Sequence, residues 1–395
     1  MISAPSIPLS LYIHFPWCTQ KCPYCDFNSH TLRTPLDELG YLTSLIEDAT
    51  HQAIWAYDRP LNTIFLGGGT PSLFSVDTLN QLFAKLKTLF VFEKNIEITM
   101  ECNPGSLTRE YLSALSETPI NRLSIGVQSF DTQQLKYLGR IHNPHQAHQA
   151  IQGALDAGFK RINIDLMHGL SHQTPQQACH DLEQALQYPL EHLSWYQLTI
   201  EPNTYFHHHP PPQPDHDMLF EIQQQGQALL RHEGFNSYEI SAYEKNHQAC
   251  LHNLNYWEFG DYLGIGAGAH GKITHPATHS IFRYWNVKHP KRYLQSQAPY
   301  QQSLKTLQPL QLPEEYMMNA LRLKKPCSLT AFEQRTGLSR KNIDNTLKRL
   351  RKDQLIKPCE DGFLLTDLGE RFTDDVVMAF LQSKKARIVE KSLLE

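Results

Sequence analysis

The chain has no apolar run approaching the roughly 18 residues needed to cross a bilayer, so no membrane-spanning helix is expected. Met1 to Ser10 hold no basic residue and no long apolar stretch, so no secretory leader is expected either. Excess charge is also missing: 36 Lys and Arg face 40 Asp and Glu, a net −4. That balance argues against a whole-chain polyanion binder and leaves room only for a local basic patch. Cysteine is scarce, with 8 in 395 residues. Disulfide-stapled folds are short and cysteine-dense, so free thiols in a reducing, cytosolic location are expected. What is present is globular: 41% hydrophobic and 10% aromatic residues, in a length that suits two or three domains.

Six strand-like runs mark the first half: Leu9–Phe15, Thr63–Leu66, Ile96–Glu101, Arg122–Gln128, Arg161–Met167 and Leu193–Thr199. Helical patterns separate them. Leu79, Leu82, Phe83, Leu86 and Phe90 recur at helical spacing as one apolar stripe. Thr34-Pro35, Asn143-Pro144 and Thr174-Pro175 each set a capping side chain before a proline, a helix-start signal. Strand and helix in alternation predict an α/β fold with parallel strands and right-handed crossovers. The expected result is a barrel, a partial (β/α)6 barrel, or a doubly wound sheet.

The strand faces add a functional hint. Leu9, Leu11, Ile13 and Phe15 share one face, leaving Tyr12 and His14 on the other. Likewise Glu97, Thr99 and Glu101 oppose Ile98 and Met100; Ser124, Gly126 and Gln128 oppose Leu123, Ile125 and Val127; Asn163 and Asp165 oppose Ile162, Ile164 and Leu166. Parallel strands buried on both sides normally read as continuous apolar runs. A solvated edge would explain one polar face. Repetition over several strands favours a wide, incompletely filled barrel whose inner face binds a polar ligand. Glu101, Gln128 and Asp165 fall near strand C-terminal ends, where such folds place their sites.

The chain divides into 1–205, the barrel; 206–300, an extension packed on it; and 301–395, a smaller C-terminal module. In the extension, His207 to His209 and His216 surround Pro210, Pro211, Pro212 and Pro214. Prolines should hold that tract extended and keep its histidines from converging, so it reads as an exposed loop. Asp217 to His232 looks helical. Gly264, Gly266 and Gly268 permit close backbone approach, but without a following amphipathic helix they are a weak dinucleotide signal. The last part reads as a helix over Pro313–Leu323, short helices Ser328–Arg335 and Ser339–Leu350 opened by serine caps, and a hairpin over Leu355-Ile356 and Gly362–Leu365. That pattern is winged-helix-like. Its basic residues Arg340, Lys341, Lys348, Arg349, Arg351 and Lys352 permit nucleic-acid binding, but a solvated face is the favoured reading. The tail beyond Lys384 reads as a frayed end.

Cys18-Thr-Gln-Lys-Cys22-Pro-Tyr-Cys25, directly after the first strand, is the sharpest feature. Three thiolates in one short loop can hold three irons of a cubane cluster and leave the fourth iron open. The competing reading is a zinc site of three cysteines with His14 or His30. Zinc motifs usually pair two half-sites, and no second C-x2-C exists here. Phe15, Trp17, Tyr24 and Phe27 suit a hydrophobic shell that shields a cluster.

The loop resembles the radical S-adenosylmethionine (SAM) superfamily, whose signature is C-x3-C-x2-C. The resemblance narrows to the oxygen-independent coproporphyrinogen dehydrogenases (HemN) and their relatives, the HemW-type heme chaperones. It is carried by Tyr12-Ile-His-Phe-Pro-Trp-Cys18, Gly67-Gly-Gly-Thr-Pro-Ser72, Glu101-Cys-Asn-Pro104, Ser124-Ile-Gly-Val-Gln-Ser-Phe130, Asn163-Ile-Asp-Leu-Met-His-Gly169 and Leu263-Gly-Ile-Gly-Ala267. It covers nearly the whole chain. By that resemblance Cys18, Cys22 and Cys25 ligate a [4Fe–4S] cluster whose open iron chelates SAM. Tyr12, Tyr24, Gly68, Gly69, Thr70 and Glu101 match positions lining the first SAM. Gln128, Arg140 and Asp165 match positions lining a second SAM in the dehydrogenase.

Two departures separate the relatives. The dehydrogenase carries a fourth cysteine where this chain has Phe27, and a longer extension before its first strand. His252-Asn-Leu-Asn-Tyr-Trp257 matches the H-N-x-x-Y-W motif of the chaperones, with His252 as the implied heme ligand. Alone, these six residues are better read as local caps and core packing; beside Phe27 they favour heme. The resemblance therefore implies a chaperone that delivers heme to respiratory hemoproteins. It also implies SAM-linked homodimers and peripheral contact with acceptors at the inner membrane. Coproporphyrinogen III dehydrogenase, by radical oxidative decarboxylation, is the alternative. A radical SAM enzyme with another substrate comes next, and a nucleic-acid-binding regulator last.

Overall fold

The computed structural model describes residues 7–381; the tail beyond Lys384 lies outside the described residues. The six expected strands are all present: β1 (Leu9–Phe15), β2 (Leu61–Gly68), β3 (Phe92–Cys102), β4 (Arg122–Gln128), β5 (Arg161–His168) and β6 (His192–Gln197). Each lies parallel to the next. The extension adds β7 (Asn236–Ser237), β8 (Ala242–Glu244), β9 (Asp261–Ile265), β10 (His270–Thr274), β11 (Ile281–Asn286) and β12 (Gln301–Thr306). All twelve form one sheet in the order β12-β11-β10-β9-β1-β2-β3-β4-β5-β6-β8-β7. β9 runs parallel to β1 and pairs Leu11 with Leu263, so the glycine-rich segment begins as a seventh parallel strand beside the first. It continues into the antiparallel strand β10, not a helix, which removes the dinucleotide reading.

The crossovers are α1 (Glu38–Gln52), α2 (Val76–Leu89), α3 (Arg109–Leu115), α4 (Thr132–Tyr137), α5 (Pro144–Asp156) and α6 (Pro175–Leu186), with α7 (His216–His232) following. The α2 stripe is fully used: Leu79, Leu82, Phe83 and Leu86 are buried against the sheet. Asn143 and Thr174 cap α5 and α6 in reciprocal capping boxes with Gln146 and Gln177. Thr34-Pro35 does not start α1. Asp37 does, accepting the Gly40 amide at 2.9 Å. Asp37, unlike Thr34, directly precedes the helix that buries Tyr41, Leu42, Leu45 and Ala49.

The C-terminal module has its own core around Met317, Phe332, Leu347, Leu350 and Phe363. It comprises α9 (Leu312–Ala320), α10 (Leu329–Thr336), α11 (Asp344–Lys352) and a small sheet of β13 (Cys327–Ser328), β14 (Ile356–Cys359) and β15 (Gly362–Leu365), a winged-helix-like arrangement. Ahead of the module, α8 (Leu251–Trp257) lies between β8 and β9. Ser328 caps α10 as expected, but Ser339 caps a single 3-10 turn, Arg340–Asn342, and α11 starts later at Asp344. Arg340 is tied to Glu333 at 2.8 Å, which takes one cation out of the basic face.

Alternating strand polarity gives the barrel an outer apolar layer and a polar lumen. Leu9, Leu11, Ile13, Ile64, Leu66, Ile98, Met100, Leu123, Ile125, Ile162 and Ile164 are sealed beneath the helices. The lumen divides in two. Its lower half is filled by side chains that satisfy one another. Thr63 bonds Ser10 at 2.7 Å, His192 bonds Asn163 at 2.7 Å, and Asn163 reaches Ser124 and Asp165, both at 2.8 Å. The upper half is an open cavity.

Candidate functional site

The cavity has a volume of about 410 Å³ and lies at the C-terminal ends of the parallel strands. Cys18, Cys22 and Cys25 form its rim, all three as half-buried free thiols. Their loop is built by local bonds. Trp17-Cys18 pair with His30-Thr31, and the Cys25 amide donates to the Cys22 carbonyl at 3.1 Å. Lys21 ties the loop internally, its ammonium donating to the carbonyls of Phe27 (2.9 Å) and Ser29 (3.1 Å).

Asn28 fastens the loop to the rest of the molecule. Its side-chain amide donates to Ala267 O at 2.9 Å and Lys288 O at 2.8 Å, while its own carbonyl meets His14 Nε2 at 3.0 Å. Gly268, at φ +78°, leaves no room for a Cβ beside that amide. Nothing in the short-range sequence flags Asn28, because its partners are some 240–260 positions away.

The glycine run after β2 lies directly beneath. Gly69 and Thr70 amides donate to Phe15 O (2.7 Å) and Trp17 O (2.8 Å), zipping the two loops together. A Cβ at Gly69 would strike the Trp17 carbonyl. The expected aromatic shell is only partly formed. Phe15 is buried on Phe74, Trp17 packs edge-on to Tyr41 and Tyr24 rests near Phe206. Phe27 lines the cavity at the rim but is 55% exposed, so it is not part of a buried shell.

Gly68, Gly69, Thr70, Tyr24, Glu101, Gln128, Arg140 and Asp165 all line this one cavity with the cysteines. Tyr12 stands back from the cavity surface, its hydroxyl on His14 Nδ1 at 3.0 Å. Gln128 reaches the lumen through a break in register between β4 and β5, with φ +70°, and accepts the Tyr196 hydroxyl at 2.7 Å. Tyr196 was missed, although it sits on the polar side of an alternating strand. Arg140 donates to Gly126 O at 2.6 Å and approaches Cys22 Sγ at 3.5 Å.

The chemistry of this donor set suits a cationic ligand beside an iron–sulfur cluster. Burial pushes the Glu101 carboxyl up to about 7; the Gly68 amide, donating to it at 2.9 Å, opposes the rise and nearby Asp165 reinforces it. Asp165 is also raised by burial, against its bonds to Asn163 and Ser124. Of the carboxyls that line the cavity, Glu101 and Asp165 have no ion-pair partner among the described residues, which fits a sulfonium or ammonium group. Neither candidate histidine of the zinc alternative lines the cavity with the three cysteines. His14 is engaged at both nitrogens, by Tyr12 and the Asn28 carbonyl, and His30 Nε2 lies on Asn28 Oδ1 at 3.3 Å.

His252 lies elsewhere. It belongs to α8 (Leu251–Trp257), which closes the lumen at the strand N-terminal ends. The ring is 1% exposed and stacks on Phe65, with centroids 5.0 Å apart. Nδ1 meets Thr63 Oγ1 at 2.7 Å and Nε2 meets the Tyr256 hydroxyl at 3.1 Å, so one neutral tautomer satisfies both. Burial, helped by Arg122, holds its pKa down at about 3. His252 does not cap the helix. Glu97 does, accepting the amides of Leu251 (3.2 Å) and His252 (3.0 Å) while paired with Arg161 at 2.8 Å. Asn253 and Trp257, the other half of the motif, line the cavity from below.

A cysteine-rimmed cavity at the mouth of a partial parallel barrel, with a glycine run under the rim, defines the class: a radical SAM protein. Residues 12–185 match the Radical SAM superfamily and residues 307–372 match the HemN C-terminal domain. The solved coproporphyrinogen III oxidase HemN of Escherichia coli shares the fold, with a TM-score of 0.80 over 96% of this chain and 91% of that one at 23% identity. Heme chaperone HemW of Haemophilus influenzae is 45% identical over 95% of this chain and 98% of its own length. HemW of Escherichia coli is 42% identical over 96% and 100%. This chain belongs to the HemW family.

Proposed function

We propose that this protein is a heme chaperone, binding heme and delivering it to respiratory hemoproteins. The observation that carries the reading is likeness along nearly the full length to relatives named heme chaperones. Phe27 in place of a fourth cysteine supports it over the dehydrogenase alternative. Cys18, Cys22 and Cys25 hold a [4Fe–4S] cluster. When bound, that cluster supplies an electron and an open iron corner for the methionyl end of SAM. Gly68, Gly69, Thr70, Tyr24 and Glu101 cradle the same SAM, and Tyr12 braces His14 behind it. Gln128, Arg140 and Asp165 extend the pocket toward a second molecule. SAM-linked dimers and peripheral contact with a membrane-bound acceptor belong to the same reading; no helix among the described residues is long and apolar enough to cross a membrane.

His252 is the family's heme ligand by motif, but here both ring nitrogens are already bonded. It can serve iron only when α8 leaves the floor. The test combines two assays on anaerobically reconstituted protein. Ferric heme should bind, and coproporphyrinogen III with SAM and reductant should give no protoporphyrinogen. Absence of heme binding, or formation of protoporphyrinogen, refutes the chaperone reading.

A further inference from the structure

The sealed state of His252 leaves open where heme first meets the protein. The histidine tract supplies a candidate, and its conformation departs in part from the expectation. Pro210 to Pro214 carry no helix or strand, as an exposed loop should, but His207 and His208 before them are helical. Tyr205–His208 form one helical turn ahead of the prolines, capped by Thr204 and closed by the His209 amide on Tyr205 O at 2.9 Å. His207, His208 and His209 are all exposed, and among the described residues no hydrogen bond or ion pair engages their rings.

The turn is also held against the cysteine loop. The Phe206 amide donates to Pro23 O at 3.0 Å, and the Phe206 ring is buried near Tyr24. Between turn and loop lies a crevice of about 390 Å³ lined by Lys21, Cys22, Pro23, Cys25, Asn203 and Tyr205, among others. Tyr205 is 62% exposed, with its ring centroid 4.6 Å from that of His209. Tyr205 and Lys21, whose ammonium gives two of its three N–H groups to loop carbonyls, line the crevice, and the open imidazoles follow Tyr205 on the adjoining turn. Together they match the three parts of heme: a flat macrocycle, an iron that takes axial nitrogen, and anionic propionates.

We propose that ferric heme is captured first at this turn, with an imidazole of His207–His209 on the iron, the macrocycle against Tyr205, and Lys21 toward a propionate. The proposal rests on the heme-chaperone reading and gives it an entry site distinct from His252.

The test is a heme titration followed by Soret absorbance on untagged, full-length, anaerobically reconstituted protein. The parent is compared with H207A/H208A/H209A, with Tyr205→Ala and with His252→Ala. The triple variant should bind at least tenfold more weakly and Tyr205→Ala severalfold more weakly, while His252→Ala keeps initial capture within about twofold. These side chains are exposed, so folding is not at stake, and SAM binding should be unchanged in the first two variants. A triple variant that titrates like the parent overturns the entry site and leaves the chaperone reading intact. A parent that takes up no heme overturns both. Repeating the titration with one equivalent of zinc chloride separates heme from bare ions. Undiminished heme binding supports the proposal, and displacement assigns the turn to free divalent metal and refutes it.

Discussion

Replacing Asn28 with alanine should loosen the cysteine loop without unfolding the barrel. The side chain gives two hydrogen bonds, at 2.9 and 2.8 Å, to carbonyls just beyond β9 and β11, strands far along the chain. Each is worth about 0.5–1.5 kcal/mol net, so their joint loss costs about 1–3 kcal/mol. At about 1.4 kcal/mol per factor of ten, the loop should open roughly 5- to 150-fold more often. The loop is a surface element whose local opening need not involve the core. The measurement is anaerobic extraction of iron from the reconstituted protein by an excess of chelator. The variant should lose its cluster faster by a factor in that range, with the main unfolding transition shifted little. Extraction within twofold of the parent would mean that Lys21 and the glycine run hold the loop unaided, and the assigned role of Asn28 would be wrong.

Buried neutral histidines make the fold sensitive to acid. His14, His142 and His168 are held down at about 4 and His252 at about 3, chiefly by burial. Their stabilising share is complete above the unfolded pKa near 6.5 and is lost as pH falls toward the folded values, about 1.4 kcal/mol per residue per pH unit. Denaturant midpoints should therefore drop steeply between pH 6.5 and 4.5; a flat profile contradicts the burial argument. Glu101, raised to about 7, should make SAM affinity climb from pH 6 to 8, because a cationic ligand favours the ionised carboxylate. Glu101→Gln should flatten that rise in calorimetric titrations; an unchanged slope assigns it to another group. Glu97→Ala removes the cap of α8 and strands Arg161, which keeps 24% side-chain exposure. A cost near the lower end of the ~3–5 kcal/mol for breaking a buried pair is expected. Amide exchange should rise first in α8; uniform exchange across the sheet would count against a local role.

Much of this arrangement is legible because β-strand polarity has a period of two. Tyr12, Glu101 and Asp165 could be placed on one lumenal face from alternation alone, whereas Gln128 joins them through a register break, and β1 and β4 have the expected bounds. Tyr196 carries the same signal. Other parts are set by contacts that no local pattern encodes. β9 is a strand because it pairs with β1, not because its glycines favour extension. Asn28 matters through partners far along the chain. His252 and Tyr256, four apart, would be read as one helix face, but that this face plugs the barrel follows from Thr63 and Glu97 on different strands. From Pro210 on, the histidine tract is the exposed loop its prolines predict; the turn Tyr205–His208 ahead of them is signalled only by the Thr204 cap.

The helix across the floor has a kinetic corollary. With α8 across the strand N-terminal ends, a guest that enters past the cysteine rim leaves by the same mouth. Traffic along one such route is last in, first out. A nucleoside-bearing guest seated deep in the lumen must arrive before any bulky cargo parks at the rim, and it departs only after that cargo has been handed on.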